Sequence, residues 1–343
     1  MNKTILSFCI LLTAFANVKN DLFISPPDWP KPAYEFSKNP MTIEKVFLGR
    51  VLFYDPILSR DHTISCASCH SQYTAFAHVD HALSHGIDNK IGMRNAPVLF
   101  NLAWQQNFMW DGAINHLDNQ SLAPISNPLE MDETMQHLTS KLRQSSIYPS
   151  LFYHAFGDSS ISKEQTLMAI SQFMLSIVSS DARYDSMIRH QVSFTSQEEN
   201  GYRLFKQHCS TCHTEPLFTN QQFENNGLIP DSILRDYGRM KVTMLPSDSL
   251  KFKVPTLRNI EFSYPYMHDG RFKRLSEVLT HYTTEIQHGK TLSKQLNTPI
   301  LLSSNEKVDL TAFLLTLTDR HFLFNTDYSY PKEVLLPSPK ESK

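Results

Sequence analysis

Two short stretches, Ser65-Cys66-Ala67-Ser68-Cys69-His70 and Cys209-Ser210-Thr211-Cys212-His213, hold all but one of the chain's five cysteines. In each, two thiols stand one helical turn apart and a histidine follows at once. That spacing suits attachment of a c-type haem. The thiols add to the two vinyl groups of one porphyrin, and the adjacent histidine falls beneath the iron as its proximal ligand. Two structural disulfides, a thioredoxin-like redox pair and a single zinc site are competing readings. A zinc site could use both Cys-x-x-Cys pairs but needs no histidine after each. A redox pair usually occurs once, near a βαβ pattern that this sequence lacks. The spacing therefore predicts two covalently bound c-type haems.

The remaining cysteine, Cys9, lies within Ile5–Ala16 (ILSFCILLTAFA), an apolar run behind Lys3 that ends in Ala14-Phe15-Ala16. This pattern reads as a signal peptide over residues 1–16, too short to span a bilayer stably. An apolar N-terminal helix of the fold is the alternative. A lipoprotein cysteine would stand at the end of such a run, not in its middle. No other segment has 18 consecutive apolar residues, so the mature chain is expected in the periplasm, without a membrane span. Composition narrows the classes further. Across 343 residues, 32 Lys+Arg balance 34 Asp+Glu, which argues against a nucleic-acid partner. With 41% hydrophobic and 19% charged residues, the chain is neither disordered nor a coiled coil. There are only 10 glycines, and no Gly-rich loop has dinucleotide or P-loop spacing.

Apolar periodicity places a helix before each cysteine pair. One covers Ile43 to Phe53, with Ile43, Val46, Phe47 and Val51 at helical spacing. The other is opened by Ser196-Gln197-Glu198-Glu199 as a capping box and carries Tyr202, Leu204 and Phe205. Further helices are expected over Lys163–Ser180 and from Asn305 to about Leu317. No period-2 alternation is sustained. The expected fold is mainly α, with two cytochrome c-like haem domains and long loops. The N-terminal haem domain would span 22–185 and the C-terminal one 186–330, divided in the more polar stretch 181–195.

Beyond the haem motifs, LGRVLFYDPILSRDHTISCASCH (48–70), GMRNAPVLFNLAW (92–104), FMWDG (108–112) and NPLEM (127–131) resemble bacterial di-haem cytochrome c peroxidases. In the second half, KVPTLRN (253–259) and YPYMHDG (264–270) resemble the same family, whose MauG-like members share these blocks. The resemblance covers roughly residues 40–320. It implies a peroxidatic haem on Cys66, Cys69 and His70, and an electron-transfer haem on Cys209, Cys212 and His213. It implies Glu130 as acid-base carboxylate, Gln120 as its polar companion and Trp110 as the residue between the haems. It also implies a calcium ion near Asn95, Ser263 and Pro265, and a homodimer. The bland readings are an exposed loop for Glu130 and core packing for Trp110.

The sixth iron positions stay open. For the first haem, His85 followed by Gly86 is the candidate detachable ligand. His78, His81 and His85 could equally be solvated loop residues, or together a weak metal site. For the second, the family's peroxidases place methionine where Tyr282 stands, and MauG-like enzymes place tyrosine. Tyrosinate lowers the iron potential, whereas methionine raises it. His281, Met267 and His288 are the other candidates, and packing is the bland reading of Tyr282 and His281. Three functions follow from the resemblance. The first is reduction of hydrogen peroxide with electrons from a small periplasmic cytochrome c or cupredoxin. The second is a MauG-like oxidation of a partner protein, and the third is plain electron carriage. Glu130 and Gln120 argue against the third, which needs no acid-base group.

Overall fold

The computed structural model describes residues 22–336; the signal-peptide reading of 1–16 lies outside the described residues. Thirteen α-helices occur among them. In chain order they are α1 (Ile43–Tyr54), α2 (Cys66–Cys69), α3 (Leu122–Ser126), α4 (Met135–Gln144), α5 (Tyr148–Phe156), α6 (Lys163–Ser176) and α7 (Arg183–Ile188). They continue with α8 (Ser196–His208), α9 (Met240–Thr243), α10 (Leu275–Thr280), α11 (Ser304–Leu315), α12 (Arg320–Leu323) and α13 (Lys332–Leu335). The described residues hold a single small sheet, β1 (Phe223–Glu224) antiparallel to β2 (Phe252–Lys253). The chain is thus mainly helical, joined by long loops.

Two apolar cores form, because each half pairs its pre-motif helix with its longest later helix. In the first, α1 lies on α6, and Leu48, Leu52, Phe53, Ile170 and Phe173 are fully buried. In the second, α8 lies on α11, with Phe205, Phe313 and Leu317 at its centre. Both crossings are set by a glycine. A Cβ on Gly49 would overlap the Ala169 carbonyl and stand 2.9 Å from Phe173 Cβ. A Cβ on Gly201 would overlap the Asp309 carbonyl and stand 2.9 Å from Phe313 Cβ.

Several helix ends differ from the sequence expectation. The box before the second motif is one residue earlier: Thr195 Oγ1 accepts from Glu198 N, and the Glu198 carboxylate accepts from Thr195 N. Glu198 also pairs bidentately with Arg183, which favours this register. α6 stops at Ser176, four residues before the expected end. There Ser179 N donates to Asn101 Oδ1 and Ser180 N to Asp319 Oδ2, so remote side chains replace the helical carbonyls. α11 begins at Ser304 under a Ser303–Glu306 box and ends at Leu315. The expected boundary region 181–195 itself contains α7. From there Asp185 forms a buried two-pronged pair with Arg258 of the second half, at 2.7 and 2.8 Å. Helix α12 returns to the first half, where Phe322 and Leu323 join the first core.

Candidate functional site

The first Cys-x-x-Cys forms the single turn α2, with Ser65 N donating to Ser68 Oγ at its start. All four described cysteines are free thiols, so the disulfide reading is not borne out. Burial pushes the Cys66 and Cys209 thiols up to about 12 and Cys69 to about 11. Burial thus disfavours the thiolate that a thioredoxin-like redox pair needs. Among the described residues no three His, Cys, Asp or Glu side chains converge as a metal site would, against both the zinc and the three-histidine readings.

The two motif histidines share one arrangement. His70 Nδ1 lies 2.8 Å from the Phe76 carbonyl, and His213 Nδ1 lies 3.1 Å from the carbonyls of Phe218 and Pro255. A carbonyl only accepts, so Nδ1 carries the proton and Nε2 keeps its lone pair. Burial holds both imidazoles down to about 4, hence neutral. A neutral ring, oriented through its second nitrogen and with Nε2 free, is what an axial iron ligand requires. The residues present therefore fit a haem at each motif.

Around the first motif, three segments close on one another. Cys69 Sγ points at the His85 carbonyl at 3.5 Å, and Ile87 N donates to the Glu130 carbonyl at 2.7 Å. Gly86 sits where a Cβ would overlap the Leu129 carbonyl, so the His-Gly pair permits this approach. Glu130 is half-buried, Oε1 accepting from Asn127 Nδ2 at 2.8 Å. Burial raises its proton affinity, and the Asn127 bond only partly opposes this. It is not the exposed loop glutamate of the bland reading. Gln120 is buried, but its amide approaches Met109 Sδ at 3.9 Å; no hydrogen bond joins it to Glu130. The His85 ring stacks on His81, with ring centres 4.0 Å apart.

Around the second motif lies a large cavity, with about 2280 Å³ of non-protein space including its mouth. Its walls include Cys209, Cys212, His213 and Tyr282 with Leu279, Leu310 and Leu314. Tyr282 follows α10 on one π-helical turn, His281–Glu285, a local irregularity that often marks function. Burial pushes its hydroxyl up to about 12, against a bond from Asn226, and the Cys209 and Cys212 thiols are close enough to add to the rise. His281 is buried beside it, but its Nε2 is 3.0 Å from the Asn226 carbonyl and it is not among the cavity walls. Met267 does line the cavity, its sulfur 3.4 Å from Asn226 Nδ2; His288 is exposed.

Trp110 lines the same cavity. Its Nε1 donates to the Asn95 carbonyl at 2.9 Å, its own carbonyl accepts from Lys253 N at 2.7 Å, and Asn95 N donates to the His268 carbonyl. The two halves thus meet at Trp110. Arg94 reinforces the seam, bidentate to Asp236 and single to Asp111 at 2.7 Å. Burial alone would raise Asp236, but Arg94 prevails and holds it at about 2. Asn95, Ser263 and Pro265 also border the cavity. Sequence reasoning missed Asn127, Asn226 and Lys253. Only the Asn-Pro of 127–128, a turn former, gave a local cue.

The family model of di-haem cytochrome c peroxidases matches residues 43–193. The methylamine utilization protein MauG of Methylophilus methylotrophus is 33% identical over 305 residues, which cover 86% of this chain and 87% of that protein. The cytochrome c551 peroxidase of Nitrosomonas europaea is 32% identical over 284 residues, covering 81% of each. Among solved structures, a MauG-like protein associated with microbial copper homeostasis aligns with a TM-score of 0.82 at 32% identity. That alignment covers 90% of this chain and 98% of that one.

Proposed function

Because this chain belongs to the di-haem cytochrome c peroxidase family, a family of haem oxidoreductases to which MauG also belongs, we propose that it uses hydrogen peroxide as oxidant in the periplasm. In this reading 22–185 and 186–330 are the two haem domains, with thioether links at Cys66/Cys69 and Cys209/Cys212 and proximal ligands His70 and His213. Bound there, the haems supply iron that takes up peroxide at the first site and exchanges single electrons at the second. The protein supplies the proton path, the electron path and the geometry.

The observation that carries the reading is Glu130, brought by Gly86 and Ile87 to the Cys69 side of the first site with its proton affinity raised by burial. A carboxyl whose proton affinity is raised by burial can take a proton from one peroxide oxygen and return it to the leaving one. Gln120 is the polar companion from the cavity wall, beside Met109, and Trp110 offers an aromatic relay between the halves. Asn95 Oδ1 and the carbonyls of Ser263 and Pro265 are oxygen donors suited to a calcium ion that would brace this seam.

The surroundings of Cys209 favour a partner protein as the electron source. With a haem bound there, Tyr282 could serve as an oxygen ligand; as a tyrosinate it would lower the iron potential and would suit holding oxidising equivalents rather than accepting electrons from an ordinary cytochrome c. The likeness to a MauG-like protein points the same way. Peroxide reduction with a small cytochrome or cupredoxin is the second reading, supported by the likeness to the N. europaea peroxidase. Steady-state peroxide consumption with reduced cytochrome c, with and without prior reduction of the enzyme, separates them. Negligible donor oxidation despite a spectral response to peroxide is expected. Rapid turnover with cytochrome c overturns the partner-protein reading, and no response to peroxide overturns both.

A further inference from the structure

Lys253 is an anomaly of the cavity wall. It is the only Lys or Arg among the described residues lining it. Its register in β2, opposite Phe223, and the bond from its amide to the Trp110 carbonyl fix its backbone between the halves. Its Nζ has two neutral partners, Gln105 Oε1 and, at 2.9 Å, the Asn107 carbonyl. No carboxylate of the described residues pairs with it, and burial pulls its ammonium down to about 8. An ammonium has three N–H donors, so one remains. Holding a desolvated cation without a counter-charge is costly. Two residues on, the Pro255 carbonyl holds His213, which ties Lys253 to the second motif.

We propose that Lys253 is the binding site for a carboxylate of the tetrapyrrole held at Cys209, Cys212 and His213; this rests on the two-haem reading above. Haem is a dianion at its propionates, and the rest of the wall here is apolar or neutral apart from Glu224, which would repel them. Lys253 supplies the counter-charge on the Trp110 side, and the propionate answers the uncompensated ammonium. Gln105 and Asn107 act as positioning residues for Nζ.

The test uses the full chain matured with haem, as wild type, Lys253→Gln and Lys253→Arg. Pyridine haemochrome gives haem per chain, and a redox titration gives the midpoint potential of the second haem. A nearby cation disfavours the more positive oxidised iron, so removing it lowers the potential. Two haems per chain in all three, a lower midpoint in K253Q and a wild-type midpoint in K253R are expected. A purely structural lysine would lower the unfolding temperature of K253Q without moving the potential. An unchanged K253Q midpoint, or equal shifts in K253Q and K253R, overturns the proposal. Fewer than two haems in the wild type instead overturns the two-haem reading on which it rests.

Discussion

In the first half α1 crosses α6 with Gly49 against Ala169 and Phe173; in the second α8 crosses α11 with Gly201 against Asp309 and Phe313. Each crossing places a phenylalanine four residues after the contacted carbonyl, and each is followed by Cys-x-x-Cys-His with its histidine Nδ1 bound to a carbonyl five or six residues on. The frame that presents the histidine is thus built twice. The groups near the cysteines are not. The first half offers Glu130, held by Asn127; the second offers Tyr282, bonded to Asn226. A carboxyl moves protons, whereas a phenolate donates charge to a metal. The difference teaches that the two halves share the frame that carries the histidine and differ in the side chains that face it.

The largest expected effect breaks that division. Glu130→Gln keeps size and the Asn127 contact but cannot shuttle a proton. Peroxide turnover should fall by roughly two to four orders of magnitude, the usual loss for a general acid-base group. The spectrum of the second haem should stay unchanged. Near-native turnover would mean that the first site differs from the second in shape alone.

A smaller effect sharpens the shared frame. Gly49→Ala and Gly201→Ala each drive a methyl into a backbone carbonyl, which cannot rotate aside. Each should cost about 1–3 kcal/mol, the range for overpacking a tight core. Denaturant unfolding of the holoprotein measures both. Loss in one variant and none in the other would show that the crossings resemble each other without doing the same work.

What the sequence made legible was local. The Cys-x-x-Cys-His pairs and the amphipathic stretches before them encode their structure within a few residues. Even the cap expected at Ser196 is off by only one position, since Thr195 and Ser196 are both good caps and only the distant Arg183 separates them. The early end of α6 was illegible, because Asn101 and Asp319 lie 78 and 139 residues from the amides they bind. Lys253 opens the KVPTLRN block, but nothing local marks its place in the cavity wall, which depends on the distant Gln105 and Asn107. Gln120 and Glu130, ten residues apart and paired by resemblance, turn to different partners, Met109 and Asn127.

The last test asks whether the second half has a distinct iron environment at all. Tyr282 shares a wall with Cys209, Cys212 and Met267, and Asn226 stands between its hydroxyl and the Met267 sulfur. Tyr282→Phe deletes one oxygen and keeps the ring. If the phenol is an iron ligand, the low-spin haem spectrum should change while the response of the first haem to peroxide persists. The midpoint potential of the second haem should rise, since an anionic oxygen donor has gone, and rise further if the Met267 sulfur takes its place. An unchanged spectrum and potential would reduce Tyr282 to a packing residue. The contrast between the halves would then rest on Glu130 alone, and the case for a partner protein over a small cytochrome donor would lose its chemical basis.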